Sequence, residues 1–155
     1  MSKGPFDSRH PLVGLVDETI RLNSRLRSVF AAPRGEEVAL NASEQMVLNA
    51  VVEATAPPTV AQIGRSMGQA RQLVQRAANA LRDAGLIELA DNPDHKRAPL
   101  LLPTAKGLAL KRGIDGRADA AARNLLPPED LEAVREATRA LRAIRRNIEA
   151  RLRTR

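Results

Sequence analysis

The sequence contains no cysteine among its 155 residues, and this absence excludes several kinds of chemistry at once. Without cysteine the chain forms no disulfide, no thiolate metal site and no cysteine-based redox sensor. No run of about eighteen apolar residues is present either, so no transmembrane helix is predicted. The N-terminus lacks a basic region followed by an apolar stretch and predicts no signal peptide, which favours a cytoplasmic protein.

Aromatic side chains are nearly absent as well, since Trp and Tyr do not occur and only Phe6 and Phe30 represent Phe. Proteins that bind single-stranded nucleic acid usually stack its bases on aromatic side chains. The formal net charge of +7 nevertheless suits a polyanionic partner. Together, the two features favour double-stranded DNA over a single strand, and they give no reason to expect a membrane partner.

Groups typical of catalytic sites are also missing. The chain has no Gly-rich phosphate loop and no nucleophile elbow. Its two His residues, His10 and His95, lie far apart, and neither has a second ligand at metal-binding spacing. The sequence therefore predicts neither an enzyme nor a metal site, and it predicts no cofactor.

The middle of the chain predicts a helix, a tight turn and a second helix. Thr59 is a candidate N-cap, and Gln62 three residues later completes a capping box. Gly68 stands where the first helix must end and the chain must turn. The second helix is predicted over residues 69–84, and Gly85 supplies a left-handed C-cap.

The second helix of this pair has an apolar and a polar side. Its apolar residues recur at helical spacing and are Leu73, Val74, Ala77, Ala80, Leu81 and Ala84. Four polar residues fall largely outside that stripe, namely Arg71, Gln72, Gln75 and Arg76. In a DNA major groove Arg pairs with guanine and Gln with adenine, whereas the alternative is an ordinary solvated helix surface. Ala70 is compatible with a thymine-methyl contact or with an ordinary helix residue.

A short β-hairpin follows, with strands predicted at residues 86–89 and 100–102. The turn over residues 91–97 is polar and carries two adjacent cations, Lys96 and Arg97. A helix pair with a hairpin appended is a winged helix-turn-helix. The second helix is then expected in the major groove, and the wing is expected on the DNA backbone or in the minor groove.

The wing tip has two interpretations. Lys96 and Arg97 are either DNA contacts, with Arg97 in the minor groove, or charges on an ordinary polar turn. His95 beside them is compatible with a wing contact, a pH switch or a metal ligand, although a turn residue without a role is the simpler interpretation. The candidate contacts are therefore His95, Lys96 and Arg97 in the wing, with Thr59 at the DNA backbone.

This stretch resembles the MarR (multiple antibiotic resistance regulator) family of bacterial transcription regulators. The matching features are the Gly68 turn, Arg71 and Arg76 in the second helix, the exit Leu81-x-x-x-Gly85-Leu86-Ile87, the wing Asn-Pro-Asp-x-x-Arg and the helix start Thr104-x-x-Gly107. Two positions depart from the family pattern. The Asp usual two residues before the wing Arg is replaced by His95, with Asp94 one position earlier, and Pro103 replaces the apolar residue before the Thr, where we expect the strand to end.

Two helices are predicted before this stretch. The first starts at about Arg9, has an apolar residue every three or four positions, and is stopped by residues 33–35. The second covers residues 42–54 and starts with a capping pair of Asn41 and Glu44. Its inward residues are expected to be Met46, Val47, Ala50 and Val51.

Two further helices are predicted after the wing. Thr104 caps a helix to about Leu125 that contains three Gly residues, each of which costs about 1 kcal/mol relative to Ala. The last helix starts at residues 127–130 and repeats apolar residues by threes and fours. Because the winged region cannot cover the apolar sides of both the first and the last helix, we expect these helices to pack together and against a second copy.

The predicted fold class is mainly α with a small β-wing, built from about six helices and a two- to three-stranded antiparallel wing. The predicted domains are a flexible N-terminus at residues 1–8, a helical dimerisation region at 9–40 and 105–155, and a winged helix-turn-helix DNA-binding domain at 41–104. The expected assembly is a symmetric homodimer with two DNA-binding units.

The resemblance implies a sequence-specific regulator of transcription, expected to be a repressor, that binds a palindromic operator in double-stranded DNA. Family members often release DNA when a small, frequently phenolic ligand binds between the dimerisation region and the DNA-binding unit. Here such an effector would find few aromatic partners, and thiol oxidation is excluded as a signal. The alternatives are a non-specific architectural DNA-binding protein and an enzyme or scaffold that uses the winged fold for protein contacts.

Overall fold

A computed structural model of the chain describes residues 9–30 and 39–153. The described elements are α1 Pro11–Val29, α2 Ala42–Val52, α3 Val60–Met67, α4 Arg71–Asp83, β1 Ile87–Ala90, β2 Leu100–Pro103, α5 Ala105–Ala122 and α6 Leu131–Arg153. The predicted fold class is confirmed, and the wing has two strands. The expectations for the N-terminus at residues 1–8 and for the helix stop at residues 33–35 lie outside the described residues.

The helix α1 forms one unit by itself, and the elements from α2 to α6 form the other. Nδ1 of His10 accepts the backbone N–H of Leu12 at 3.2 Å, so this His caps the helix. No side chain of α1 is buried. Its large apolar side chains, together with that of the C-cap residue, are exposed at Leu12, Val13, Val16, Ile20, Leu22, Val29 and Phe30.

The core of the second unit lies where α2, α3, α4 and the wing meet. Its buried members are Val47, Leu48, Val51, Val60, Ile63, Val74, Ala77, Ala78, Leu81, Leu86, Ile87 and Leu101. The predicted capping box of α2 is confirmed, because Asn41 and Glu44 each accept the backbone N–H of the other. Leu48 is completely buried although it was not among the predicted inward residues, while Met46 and Ala50 are half-buried.

The wing is an antiparallel pair in which Ile87 faces Pro103 and Ala90 faces Leu100. The prediction that the returning strand ends at Pro103 is confirmed. On the other side of β2, the backbone N–H of Leu101 donates to the carbonyl oxygen of Pro58 at 2.9 Å. This single bond ties the wing to the segment that leads into α3.

The first turns of α5 are joined closely to the end of α4. The hydroxyl of Thr104 donates to the carbonyl oxygen of Gly85 at 2.7 Å, and Nζ of Lys106 donates to that of Ala84 at 2.8 Å. The next residue, Gly107, is buried and lies so close to Leu86 that a Cβ at this position would overlap the Leu86 carbonyl oxygen. Only Gly, which has no Cβ, allows α5 to approach the Leu86 backbone this closely, and this outweighs the low helix propensity of Gly.

Farther along α5, Lys111 is buried and joins the helix to the end of α2. Its Nζ lies 2.6 Å from both carboxylate oxygens of Asp115 and 3.3 Å from Oε1 of Glu53. Burial by itself lowers the pKa of Lys111, but the hydrogen bonds to the two carboxylates outweigh it and raise the pKa above its ordinary 10.5. The stem of the side chain is packed while its charge meets two partly exposed carboxylates.

We expect Lys111→Ala to lower the free energy of unfolding by about 1–3 kcal/mol, because it removes both the packed stem and the ion pairs. Lys111→Met keeps a stem of similar length and should cost less than about 1 kcal/mol. Urea denaturation at neutral pH measures both. A Met variant as unstable as the Ala variant would show that charge, not packing, dominates at this position.

The pH dependence of the charge contribution has a definite sign. Because the folded state raises the pKa of Lys111, the stabilisation is complete below pH 10.5 and is lost as the pH rises through the higher folded value. The difference in unfolding free energy between the wild type and Lys111→Met should therefore shrink toward strongly alkaline pH. A difference that grows there would contradict the raised pKa.

The helix α6 follows a single 3₁₀ turn at Pro128–Asp130. It exposes a row of large apolar side chains at Leu131, Val134, Leu141, Ile148 and Leu152. Among the described residues, no helix has both the length and the apolar character needed to cross a bilayer.

Candidate nucleic-acid interface

The turn between α3 and α4 is built from local contacts that were predicted. The Thr59 hydroxyl oxygen accepts the N–H of Gln62 at 3.2 Å, and Oε1 of Gln62 accepts the N–H of Thr59 at 2.7 Å, which confirms the capping box. Gly68 has the left-handed φ of 62° that the turn requires. The backbone N–H of Gln69 then donates to the Gly64 carbonyl oxygen at 2.9 Å, which closes the turn.

The helix α4 begins at Arg71, two residues later than predicted. Ala70 is its N-cap, with an extended ψ of 132° and no side-chain capping bond. The placement of Ala70 within the recognition helix was therefore wrong, because the turn that starts at Gly68 needs extended backbone at this point. Its methyl group is exposed at the very start of the helix.

The exposed side of α4 carries the four predicted polar residues. Its buried side is formed by Val74, Ala77, Ala78 and Leu81. The four polar residues line one shallow hollow of about 410 Å³ and are Arg71, Gln72, Gln75 and Arg76. At 3.6 residues per turn they fall within an arc of about 140° on the helix. We call this surface the polar face of α4.

Two residues of the predicted apolar stripe of α4 are exposed instead. Leu73 is 41% exposed, and Ala80 is exposed as well, so the apolar stripe is wider than the buried side of the helix. Both lie on one flank of the helix, and Leu73 borders a hollow that it shares with the start of α2. The polar residue Asn79 was not among the predicted site residues. Its Oδ1 accepts a hydrogen bond from Nε2 of Gln75 at 3.1 Å and holds that amide in place.

Several cations of this region have no acidic partner in the described part of the chain. Among the described residues no carboxylate forms an ion pair with Arg65, Arg71, Arg76, Lys96 or Arg97. By contrast, Arg82 at the far end of α4 bonds to Asp83 at 3.0 Å. The unpaired guanidinium groups keep their hydrogen-bond donors available to an anionic partner.

The wing tip is held by one side chain. Nδ2 of Asn92 donates to the Ala98 carbonyl oxygen at 2.8 Å, and Oδ1 of the same residue accepts the N–H of Asp94 at 3.1 Å. His95, Lys96 and Arg97 are exposed at this tip. In the described part of the chain Asp94 forms no ion pair with Arg97, so the wing turn depends on Asn92.

Of the predicted site residues, Thr59 alone is buried, with 8% of its surface exposed. Its backbone N–H and its hydroxyl oxygen are both used in the capping box of α3. Within residues 9–30 and 39–153 no cluster of three or more His, Cys, Asp or Glu is suited to a metal ion. The polar face of α4 and the wing tip thus remain as the two exposed surfaces that carry the predicted contacts.

Comparison with known proteins finds a family model and a relative that match parts of this chain. Residues 40–98 match the model of the MarR family. An uncharacterized protein of Mycobacterium tuberculosis is 42% identical over 84 residues, which are 52% of this chain and 59% of that protein. The chain thus spans less than two thirds of the length of this relative.

Solved structures show the same fold. The transcriptional regulator BldR from Sulfolobus solfataricus has a TM-score of 0.71 at 17% identity, covering 92% of this chain and 97% of that one. BpsR from Bordetella bronchiseptica, whose DNA binding is regulated by 6-hydroxynicotinic acid, has a TM-score of 0.64 at 18% identity, covering 83% and 98%. At these identities the likeness concerns the fold.

Proposed function

We propose that the protein, whose residues 40–98 match the model of the MarR family, is a transcription regulator that binds a palindromic site in double-stranded DNA as a homodimer. The observation that carries this proposal is the polar face of α4, where two arginines and two glutamines are exposed together without acidic partners. The wing adds the exposed cations Lys96 and Arg97.

The two surfaces have different roles in the proposed complex. Phosphate neutralisation supplies affinity, falls with added salt and does not depend on sequence. Contacts of the polar face with base edges supply specificity, with Arg71 and Arg76 suited to guanine and Gln72 and Gln75 to adenine. Because Asn79 holds the amide nitrogen of Gln75, the Oε1 of Gln75 is left to accept a donor such as the adenine amino group.

A homodimer is supported by the exposed apolar sides of α1 and α6. Seven large apolar side chains in and beside α1 and five in α6 exceed the scattered apolar surface that a monomer normally shows. In a two-fold symmetric dimer, two copies of α4 would meet half-sites about one helical turn of DNA apart. Sedimentation analysis tests this step, and a single subunit at micromolar concentration would contradict it.

A small organic effector is a further part of the proposal. The regulation of BpsR by 6-hydroxynicotinic acid shows that one protein of this fold responds to a small ligand. This chain has no Tyr or Trp, so contacts to an effector here would come mainly from aliphatic and polar side chains. The role we propose is repression, released when an effector changes the distance between the two DNA-binding units, and it requires a cytoplasmic location.

Selection of bound sequences from a random duplex pool tests the proposal most directly. A regulator should recover one palindrome and prefer it over random duplex by about a thousandfold or more at the same salt concentration. A preference below about tenfold would instead indicate a non-specific architectural protein. No duplex binding at low salt would leave a protein-contact role for the winged fold.

Arg97→Ala tests the wing. We expect about threefold to tenfold weaker binding of the selected duplex, because the substitution removes one cation from the proposed DNA interface. The oligomeric state should not change. Fluorescence anisotropy and sedimentation measure the two quantities. Unchanged affinity at low salt would remove the wing tip from the interface.

A further inference from the structure

A groove of about 650 Å³ separates α3 from the wing. On the α3 side it is lined by Ala61, Gln62 and Arg65, and Arg65 lies one helical turn after the other two, four positions from Ala61 and three from Gln62. Arg71 stands at the end of the groove nearest α4, and the wing contributes Asp94 and His95. We call this feature the wing groove.

The wing groove is continuous with the polar face of α4. Arg71 lines both, so a molecule lying along the polar face extends past this side chain into the groove. A helix seated in the major groove of a duplex has a sugar-phosphate backbone along each of its flanks. The wing groove lies on one such flank, between α3 and the wing, with Arg71 of α4 at its end.

The electrostatics of the groove suit an anion. Arg65 and Arg71 form no hydrogen bond or ion pair with any described side chain. Arg65 also borders a cleft with Glu149 of α6, but that carboxylate bonds to Arg145 at 2.8 Å. The carboxylate of the groove lining itself is Asp94, on the wing.

We propose that the wing groove receives the sugar-phosphate backbone of the duplex and that Arg65 binds one of its phosphates. This inference rests on the proposed function. Arg65 adds a cation to the backbone contact predicted at Thr59, whose N–H and hydroxyl oxygen take part in the capping box. A guanidinium forks onto two phosphate oxygens, and Arg65 is exposed and free to do so.

The test compares Arg65→Ala with the wild type on two fluorescent probes, the selected palindrome and a random-sequence duplex. Loss of one phosphate contact per subunit should reduce the slope of log K against log salt by about 0.9 for each subunit bound. Binding to both probes should weaken by the same factor, about threefold to tenfold at low salt, with sequence preference unchanged. Arg65→Lys should recover part of the slope, because it keeps the charge without the fork.

The matched control is Arg112→Ala, which removes an exposed cation of α5 outside the groove and should leave the slope unchanged. Asp94→Asn should act in the opposite direction and strengthen binding by about twofold to fivefold, the range of one exposed charge interaction. Circular dichroism and thermal unfolding establish that each variant is folded.

Three results would overturn the inference: an unchanged salt slope in Arg65→Ala, a loss of preference at a single base pair, or weaker binding by Asp94→Asn. Each of them can occur while the wild type still binds its palindrome, in which case the proposed function stands and the groove assignment falls. A wild-type protein that binds no duplex would overturn both.

Discussion

Gly107→Ala is expected to lower the free energy of unfolding by about 3 kcal/mol or more. The added methyl group would overlap the carbonyl oxygen of Leu86, and that atom belongs to the backbone at the entrance to the wing. A flexible side chain could rotate away from such an overlap, but here α5 or β1 has to shift. The shift would also strain the bonds that Thr104 and Lys106 make to the end of α4. Urea denaturation of the variant and the wild type measures the loss.

Gly116→Ala in the same helix provides the control. Outside the adjacent backbone of α5, no described atom lies within 4 Å of a Cβ built at Gly116, so the substitution removes only the conformational freedom of Gly. We expect it to raise the free energy of unfolding by about 0.5–1 kcal/mol. If the free energy of unfolding falls in Gly107→Ala and rises in Gly116→Ala, the overlap with Leu86 is the cause of the loss at Gly107. Equal, small effects would show that α5 is not packed against Leu86 as described.

Arg76→Ala has the second large expected effect, on DNA binding. In the proposed complex this side chain reads a base, and its loss should weaken binding to the selected palindrome by roughly tenfold to a hundredfold, or about 1–3 kcal/mol. The exposed guanidinium of Arg76 forms no ion pair with any described residue, so no interaction within the protein has to break when DNA binds. The loss of affinity in the variant therefore reflects the DNA contact itself. Preference at one position of each half-site should relax at the same time.

Arg82→Ala is the control for this measurement. It removes the same side chain from the far end of α4, where Arg82 bonds to Asp83, and it should change affinity by less than about threefold. Repeating the selection with Arg76→Ala separates two kinds of contact. Equal weakening on every duplex would identify Arg76 as a phosphate contact and move base recognition to Arg71 and the glutamines.

The parts of this fold that sequence predicts well are those with local causes. The capping boxes of α2 and α3, the left-handed glycines Gly68 and Gly85, and the polar wing turn each depend on residues within a few positions of one another. Such contacts form from the chain alone, so their spacing in the sequence identifies them. The polar face of α4 was found for the same reason, since helical periodicity places its four members together.

The errors concern residues whose surroundings are set by distant elements. Periodicity identifies the apolar stripe of α4 but cannot decide which of its residues other elements cover, and Leu73 and Ala80 in that stripe are exposed. Leu48 and Lys111 were missed because their burial depends on how α2 packs against the wing and α5. The proposed contact at Arg65 could not be predicted from sequence, because this residue lies outside the recognition helix and borders a groove that exists only in the folded structure.

The contacts at the base of α5 determine where this protein can bend. Bonds from Thr104 and Lys106, the close fit of Gly107 and the ion pair of Lys111 with Glu53 all join the first two turns of α5 to the winged region. Those turns therefore move with the wing as one rigid body. In a dimer that changes the separation of its two winged regions, the pivot then lies beyond Lys111, in the half of the helix that contains Gly113 and Gly116.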